Sequence, residues 1–179
     1  MKQVEEGSVS GRKVLIFPGL VAVRVACAAP FWYVIRNDLR LWAMVLFAIA
    51  CLTDAIDGRL AKRLGVSGPI MAYWDAGADF LVVAAAFSAF VGKGMYPSWT
   101  LVLIGAMFLQ FVVTSGISRP VYDPVGKYYG VFLFATVGAT LAFPISVLHR
   151  AVPVGIVGAT IVSLASRAVF LIQRRRHGP

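Results

Sequence analysis

This sequence has little charge, and negative charge is especially scarce. Only 14% of its 179 residues are Asp, Glu, Lys or Arg, whereas about a quarter of a soluble domain is charged. Eight residues are acidic and seventeen are basic, and 59% of the chain is hydrophobic. This composition argues against a soluble globular domain and predicts a membrane protein. The basic residues are divided among short loops between apolar runs, so the net charge of +9 does not indicate nucleic-acid binding.

Cysteine and histidine are also scarce. Cys27 and Cys51 both lie in apolar stretches without metal-ligand spacing, so they predict neither a disulfide framework nor a zinc site. His149 and His177 lie in a predicted loop and in the C-terminal tail. We interpret the two cysteines as buried and reduced, and we assign no chemical role to the two histidines.

Apolar stretches dominate the chain, and a transmembrane helix needs about 20 such residues. We predict an all-α, polytopic membrane protein with six transmembrane helices, forming one domain over residues 1–179. Residues 1–16 form a cytoplasmic N-terminal segment in this prediction. Pro18 marks the start of the first helix, and Pro144 is a kink inside the fifth. The predicted spans are 18–35, 41–52 with a polar continuation over 54–63, 71–91, 99–117, 128–148 and 152–172.

The distribution of Lys and Arg predicts the orientation of these spans. An even number of spans puts both termini on one side, and that side carries eleven basic residues against four on the other. The eleven are Lys2, Arg12, Lys13, Arg59, Lys62, Arg63, Arg119, Lys127 and Arg174, Arg175 and Arg176; the four are Arg36, Arg40, Lys93 and Arg150. The positive-inside rule therefore predicts a cell-membrane protein with both termini in the cytoplasm.

Four of the eight acidic residues lie close together, where the second and third spans meet a short basic turn. Asp54 and Asp57 are three residues apart, and Asp75 and Asp79 are four apart, so each pair shares one helix face. Two helices joined by a turn can direct these faces at each other. Four adjacent carboxylates repel, and a divalent cation such as Mg²⁺ or Mn²⁺ would remove the conflict.

The surroundings of these aspartates suit a pyrophosphate. Gly58 and Ala61 continue the helix face of Asp54 with small residues, so a bulky group can approach the backbone. Lys62 and Arg63 add positive charge nearby. Two alternatives stay open: the aspartates form an interfacial charge belt with the neighbouring basic residues, or they belong to a proton or ion pathway.

The stretch from Asp54 to Lys62, followed by eight residues and then Met71 to Asp79, resembles the signature of the CDP-alcohol phosphotransferase family. That signature reads D-x-x-D-G-x-x-A-R, eight residues, G-x-x-x-D-x-x-x-D. The opening Phe17-Pro18-Gly19-Leu20, with Arg24 and Pro30 after it, is similar to the start of family members. Lys62 replaces the family's Arg, and Met71 replaces its Gly, which puts the strength of donor binding in question.

The resemblance implies phospholipid biosynthesis by a metal-dependent enzyme. A phosphatidyl-type group would pass from a CDP-linked lipid, such as CDP-diacylglycerol, to an alcohol, releasing CMP. It implies Mg²⁺ or Mn²⁺ held by Asp54, Asp57, Asp75 and Asp79, with Asp79 also the general base. It further implies donor binding at Gly58, Ala61, Lys62 and Ser67, and a homodimer in the lipid bilayer.

The acceptor alcohol is less well defined by the sequence. Arg119 and Lys127 lie on the predicted cytoplasmic side and could bind a phosphate on the alcohol, as in glycerol phosphate or inositol phosphate. They could equally be ordinary positive-inside charge. Arg24 and Arg167 lie within predicted spans, where each pairs with an acid or contacts headgroups. A non-catalytic transporter, or a relative that binds nucleotide-linked lipid without turnover, is the alternative to the enzyme.

Overall fold

In a computed structural model of the chain, residues 3–64, 69–114 and 124–176 are described, and they form six α-helices. Side chains are described for most of 19–59 and for 73–113 and 128–169. The all-α prediction is confirmed over this part of the chain. The helices are α1 (Gln3–Arg36), α2 (Arg40–Leu64), α3 (Pro69–Gly92), α4 (Trp99–Thr114), α5 (Pro124–Ala142) and α6 (Ser146–Arg176).

Two prolines act differently from the prediction. Pro18 does not start a helix, because α1 begins at Gln3 and continues through it. An interior proline removes one backbone hydrogen bond, and the remaining helix persists. Pro144 does not kink a span: it disfavours helical geometry at Phe143, so α5 ends at Ala142. The last helix consequently begins at Ser146 instead of residue 152.

The length and composition of the helices support membrane spanning in part. Among the described residues, Tyr73–Gly92 and Ser146–Val169 are long and apolar enough to cross a bilayer. Trp99–Val113 and Tyr128–Ala142 are apolar but shorter. Large apolar side chains are widely exposed on the outer surface, including Val102 at 69%. Many exposed large apolar side chains are expected on a surface that meets lipid.

The core of the molecule is built around α3, which packs against α1, α4 and α5. Ala78, Ala86 and Ala89 on α3 are at most 1% exposed, and such small residues allow neighbouring helices to approach closely. Phe87 and Phe90 fill the space beside them. Because α1 also packs against α2, the residues of α1, α2 and α3 are held in a fixed relation.

Basic side chains cap the C-terminal ends of α3 and α5, which lie away from the predicted aspartate site. Arg36 donates to the carbonyl of Gly92 at the end of α3. Arg40 donates through Nε to the carbonyl of Leu141, at 2.8 Å, and through Nη2 to that of Ala142. Cations at helix C-termini satisfy unpaired carbonyls and interact favourably with the helix dipole. These two arginines therefore have a structural role that the charge count did not reveal.

Candidate active site

Three helices bring the aspartates together around one arginine. Arg24 projects from α1, Asp54 from α2, and Asp75 and Asp79 from successive turns of α3. Arg24 Nη1 donates to Asp79 Oδ1 at 2.5 Å and to Asp54 Oδ1 at 3.3 Å. Arg24 Nη2 donates to Asp75 Oδ1 at 2.5 Å. The guanidinium thus links α1 to both helices that carry the acidic signature.

The arginine and the carboxylates differ sharply in exposure. The Arg24 side chain is 0% exposed, whereas the side chains of Asp54, Asp75 and Asp79 are 50%, 44% and 31% exposed. The arginine therefore lies on the buried side of the cluster, and the carboxylates lie between it and the exterior. A ligand that arrives from outside meets the three carboxylates first.

The cluster suits a divalent cation of the oxygen-binding class. One carboxylate oxygen each from Asp54, Asp75 and Asp79 lies within 4.8 Å of the others. Metal–oxygen bonds are about 2.0–2.6 Å long, so one ion can bind two oxygens that lie up to about twice that distance apart. All three donors are hard oxygen atoms, which favour Mg²⁺, Mn²⁺ or Ca²⁺ over zinc or copper. The cluster could therefore hold a metal ion, with carboxylate oxygens among its ligands.

The structure describes only part of the residue set that the sequence predicts. Asp57, Gly58, Ala61 and Lys62 belong to α2, at helical positions that continue the turn of Asp54, but their side chains lie outside the described part. Lys127 belongs to α5, with its side chain likewise outside it. Ser67 and Arg119 lie outside the described residues altogether. Their assigned roles remain predictions.

Arg24 was expected to pair with an acid or to contact headgroups, because an arginine inside an apolar helix is expensive to bury. The structure shows the acidic pairing, with Asp54, Asp75 and Asp79. The sequence could not show that one guanidinium reaches three aspartates. Arg167 is also buried, at 4% exposure, and its Cζ lies 5.8 Å from the ring centroid of Phe111. This distance fits a cation–π contact.

Comparison with known proteins identifies the family of this chain. The CDP-alcohol phosphatidyltransferase family model matches residues 17–171. The chain therefore belongs to that family, whose members are membrane enzymes, and it is a CDP-alcohol phosphatidyltransferase.

Two curated relatives show the range of similarity. A cardiolipin synthase (CMP-forming) of Streptomyces coelicolor is 25% identical, over 82% of this chain and 71% of the relative. A probable phosphatidylglycerophosphate synthase of Mycobacterium tuberculosis is 33% identical over 57% of this chain. The match spans about half of that mycobacterial protein, 53% of its length. No solved structure matches the chain.

Proposed function

We propose that this protein transfers a phosphatidyl-type group from a CDP-linked lipid, such as CDP-diacylglycerol, to an alcohol, with release of CMP. The observation that carries the proposal is that one carboxylate oxygen each of Asp54, Asp75 and Asp79 lies within 4.8 Å of the others. Family membership gives the reaction class, and this cluster supports the aspartates as its site.

The aspartates would hold Mg²⁺ or Mn²⁺ in this proposal. Asp57 is the fourth ligand, because it lies one turn after Asp54 on α2. A bound divalent ion neutralises the donor pyrophosphate and the negative charge on the departing CMP. The three described carboxylates are exposed enough to be reached from outside the helices.

Asp79 would act as the general base. It accepts the proton of the acceptor hydroxyl while the hydroxyl oxygen forms a bond to the lipid-side phosphorus. The bond between this phosphorus and the CMP oxygen breaks, and CMP leaves with the electron pair. Arg24 Nη1 binds Asp79 Oδ1 at 2.5 Å, so one carboxylate oxygen is fixed and the orientation of the other is restricted.

The donor would bind along the C-terminal part of α2. Gly58 and Ala61 follow Asp54 on the same helical face, where small residues let the nucleotide approach the backbone. Lys62 provides a cation for the donor phosphates, and Ser67 a hydroxyl. Lys lacks the bidentate fork of the family's Arg, so Lys62→Arg should strengthen donor binding. Met71→Gly tests whether the methionine narrows the donor site.

The acceptor would be a glycerol-based alcohol, possessing a phosphate in the simplest case. The names of the two relatives specify products that join phosphatidyl groups to glycerophosphate or, through glycerol, to another phosphatidyl group. Arg119 and Lys127 would bind the acceptor phosphate. Arg119→Gln and Lys127→Gln should then raise KM for glycerol phosphate and leave KM for the CDP-lipid donor unchanged.

The enzyme would span the membrane six times as a homodimer, with both termini and the active site in the cytoplasm. The biased distribution of Lys and Arg supports this orientation. Labelling single cysteines placed near residue 2 and near residue 94 with an impermeant thiol reagent, in intact cells, tests it. Labelling near residue 94 alone is expected, and labelling near residue 2 would overturn the orientation. Crosslinking in membranes tests the dimer.

The decisive experiment is CMP release by the purified protein in detergent with CDP-diacylglycerol and Mn²⁺ or Mg²⁺. Glycerol phosphate, inositol phosphate and phosphatidylglycerol are supplied one at a time. We expect metal-dependent CMP release with one of them. Binding of the CDP-lipid without release under any condition, in folded protein, would identify a binding relative instead of an active enzyme. Absence of both binding and release would overturn the proposal.

A further inference from the structure

The most unusual buried group in the described structure is the guanidinium of Arg24. Its side chain is 0% exposed, and it donates to three carboxylates that come from two other helices. Burying a charge is costly unless it is paired and hydrogen-bonded. These contacts offset that cost and join α1 to α2 and α3 at the level of the acidic cluster.

The contacts of Arg24 with Asp54, Asp75 and Asp79 involve the Oδ1 oxygen of each carboxylate. The arginine approaches from the buried side, while the aspartates keep between 31% and 50% of their side-chain surface exposed. The carboxylates therefore retain an accessible side on which a cation could bind while Arg24 stays in place.

Charge balance agrees with this arrangement. When Asp54, Asp75 and Asp79 are ionised, they and the guanidinium leave a surplus of two negative charges, and Asp57 as the proposed fourth ligand would add a third. A divalent cation would reduce this surplus. Without the guanidinium, the three acids would repel one another more strongly, and the hydrogen bonds that join α1 to α2 and α3 at this level would be lost.

We propose that Arg24 is a positioning residue for the metal site: from the buried side it holds Asp54, Asp75 and Asp79 by one oxygen each and presents the cluster to a divalent cation. It remains in place when the ion binds and does not compete with it. This inference rests on the proposed metal-dependent function. Groups that orient metal ligands from behind typically alter metal affinity 10–100-fold when they are removed.

The test is Mn²⁺ binding by the purified full chain, followed by electron paramagnetic resonance of free Mn²⁺ and without substrate. Arg24→Gln should raise the Mn²⁺ Kd roughly 10–100-fold. Arg24→Lys keeps the charge and loses the fork that spans several carboxylates, so it should restore part of the affinity. If Arg24→Gln does not fold, Arg24→Lys alone tests the inference, and its Mn²⁺ Kd should lie above that of the wild type.

Arg40→Gln is the matched control, because Arg40 is also an arginine that bridges helices, yet it binds the carbonyls of Leu141 and Ala142. It should lower the melting temperature and leave the Mn²⁺ Kd unchanged. Tighter Mn²⁺ binding in Arg24→Gln would show that Arg24 competes with the metal and would overturn the inference, as would an unchanged Kd.

The same measurements separate this inference from the proposed function. Wild-type protein that binds Mn²⁺ in an Arg24-dependent manner but releases no CMP would contradict the enzyme and support the positioning role. Wild-type protein that releases CMP, with Mn²⁺ affinity unaffected by Arg24→Gln, would contradict only the positioning role. Wild-type protein that binds no Mn²⁺ would contradict both.

Discussion

The two ends of the helix bundle carry opposite excess charge. At the acidic end, formed by Arg24, Asp54, Asp75 and Asp79, three carboxylates surround one cation. At the capped end, formed by Arg36, Arg40, Lys93 and Asp38, cations are in excess. Arg36, Arg40 and Lys93 all donate to backbone carbonyls, and Lys93 also pairs with Asp38.

This difference indicates which end suits a cation. Arginines at the capped end satisfy carbonyls that the helices leave unpaired, so their hydrogen-bonding capacity serves the fold. The acidic end retains surplus negative charge on exposed carboxylates, a state that is unfavourable unless a cation joins it. The predictions below test this contrast, from the largest expected effect to the smallest.

The largest effect should follow from removing the proposed base. Asp79→Asn keeps the shape of the side chain but cannot accept the proton, and loss of a general base typically slows a reaction 10²–10⁴-fold. We expect CMP release to fall by at least that range while CDP-lipid binding persists. Asp38→Asn is the matched control, because Asp38 is an aspartate of the capped end. Equal activity of Asp79→Asn and wild type would remove Asp79 from the chemistry.

Metal addition should stabilise the protein through the acidic end alone. A ligand that binds only the folded state at a hundred times its Kd adds about 2.7 kcal/mol to the free energy of unfolding. We therefore expect Mn²⁺ to raise the melting temperature in detergent and EDTA to reverse the rise. The combined variant Asp54→Asn, Asp75→Asn and Asp79→Asn should show no rise. A shift that persists in this variant would place the ion elsewhere.

A substitution of Gly138 in α5 should affect stability through packing. A Cβ on Gly138 would lie 2.9 Å from Cε1 of Phe47. The Phe47 ring has little room to move, because it packs between Phe31 and Phe134 with centroids 6.3 and 6.1 Å away. Gly138→Ala should therefore cost about 1–3 kcal/mol of unfolding free energy. Gly158→Ala, where a Cβ meets nothing within 4 Å, is the control. Equal melting temperatures for both variants would contradict this packing argument.

The smallest effect should come from one hydrogen bond near the capped end. The Tyr96 hydroxyl lies 2.6 Å from Oγ1 of Thr140, and Tyr96 is 3% exposed. Tyr96→Phe should cost about 0.5–1.5 kcal/mol and leave both CMP release and Mn²⁺ affinity per folded molecule unchanged. Tyr33→Phe, at a tyrosine that is 58% exposed, should cost less. A loss of Mn²⁺ affinity in Tyr96→Phe would show that the two ends are coupled.

Helix content and the acidic faces were predictable because both depend on local spacing. Asp75 and Asp79 share a face of any continuous helix, and α3 is continuous across them. Helix ends were less predictable where proline was involved. Pro18 and Pro144 obey the same steric rules, yet α1 continues through one and α5 ends before the other. The local cost of proline is similar at both positions, so whether a helix persists depends on how strongly tertiary packing stabilises it.

The sequence by itself determined the class of this protein: an apolar all-α chain, carrying the spacing of a divalent-metal site and the signature of its family. Only the tertiary structure decided how the charges are paired. Arg24 is separated from Asp79 by 55 positions, and Arg40 from Leu141 by 101. Pairing over such distances depends on how α1, α2, α3 and α5 pack, because local periodicity fixes the face on which a residue lies but not its partner on another helix.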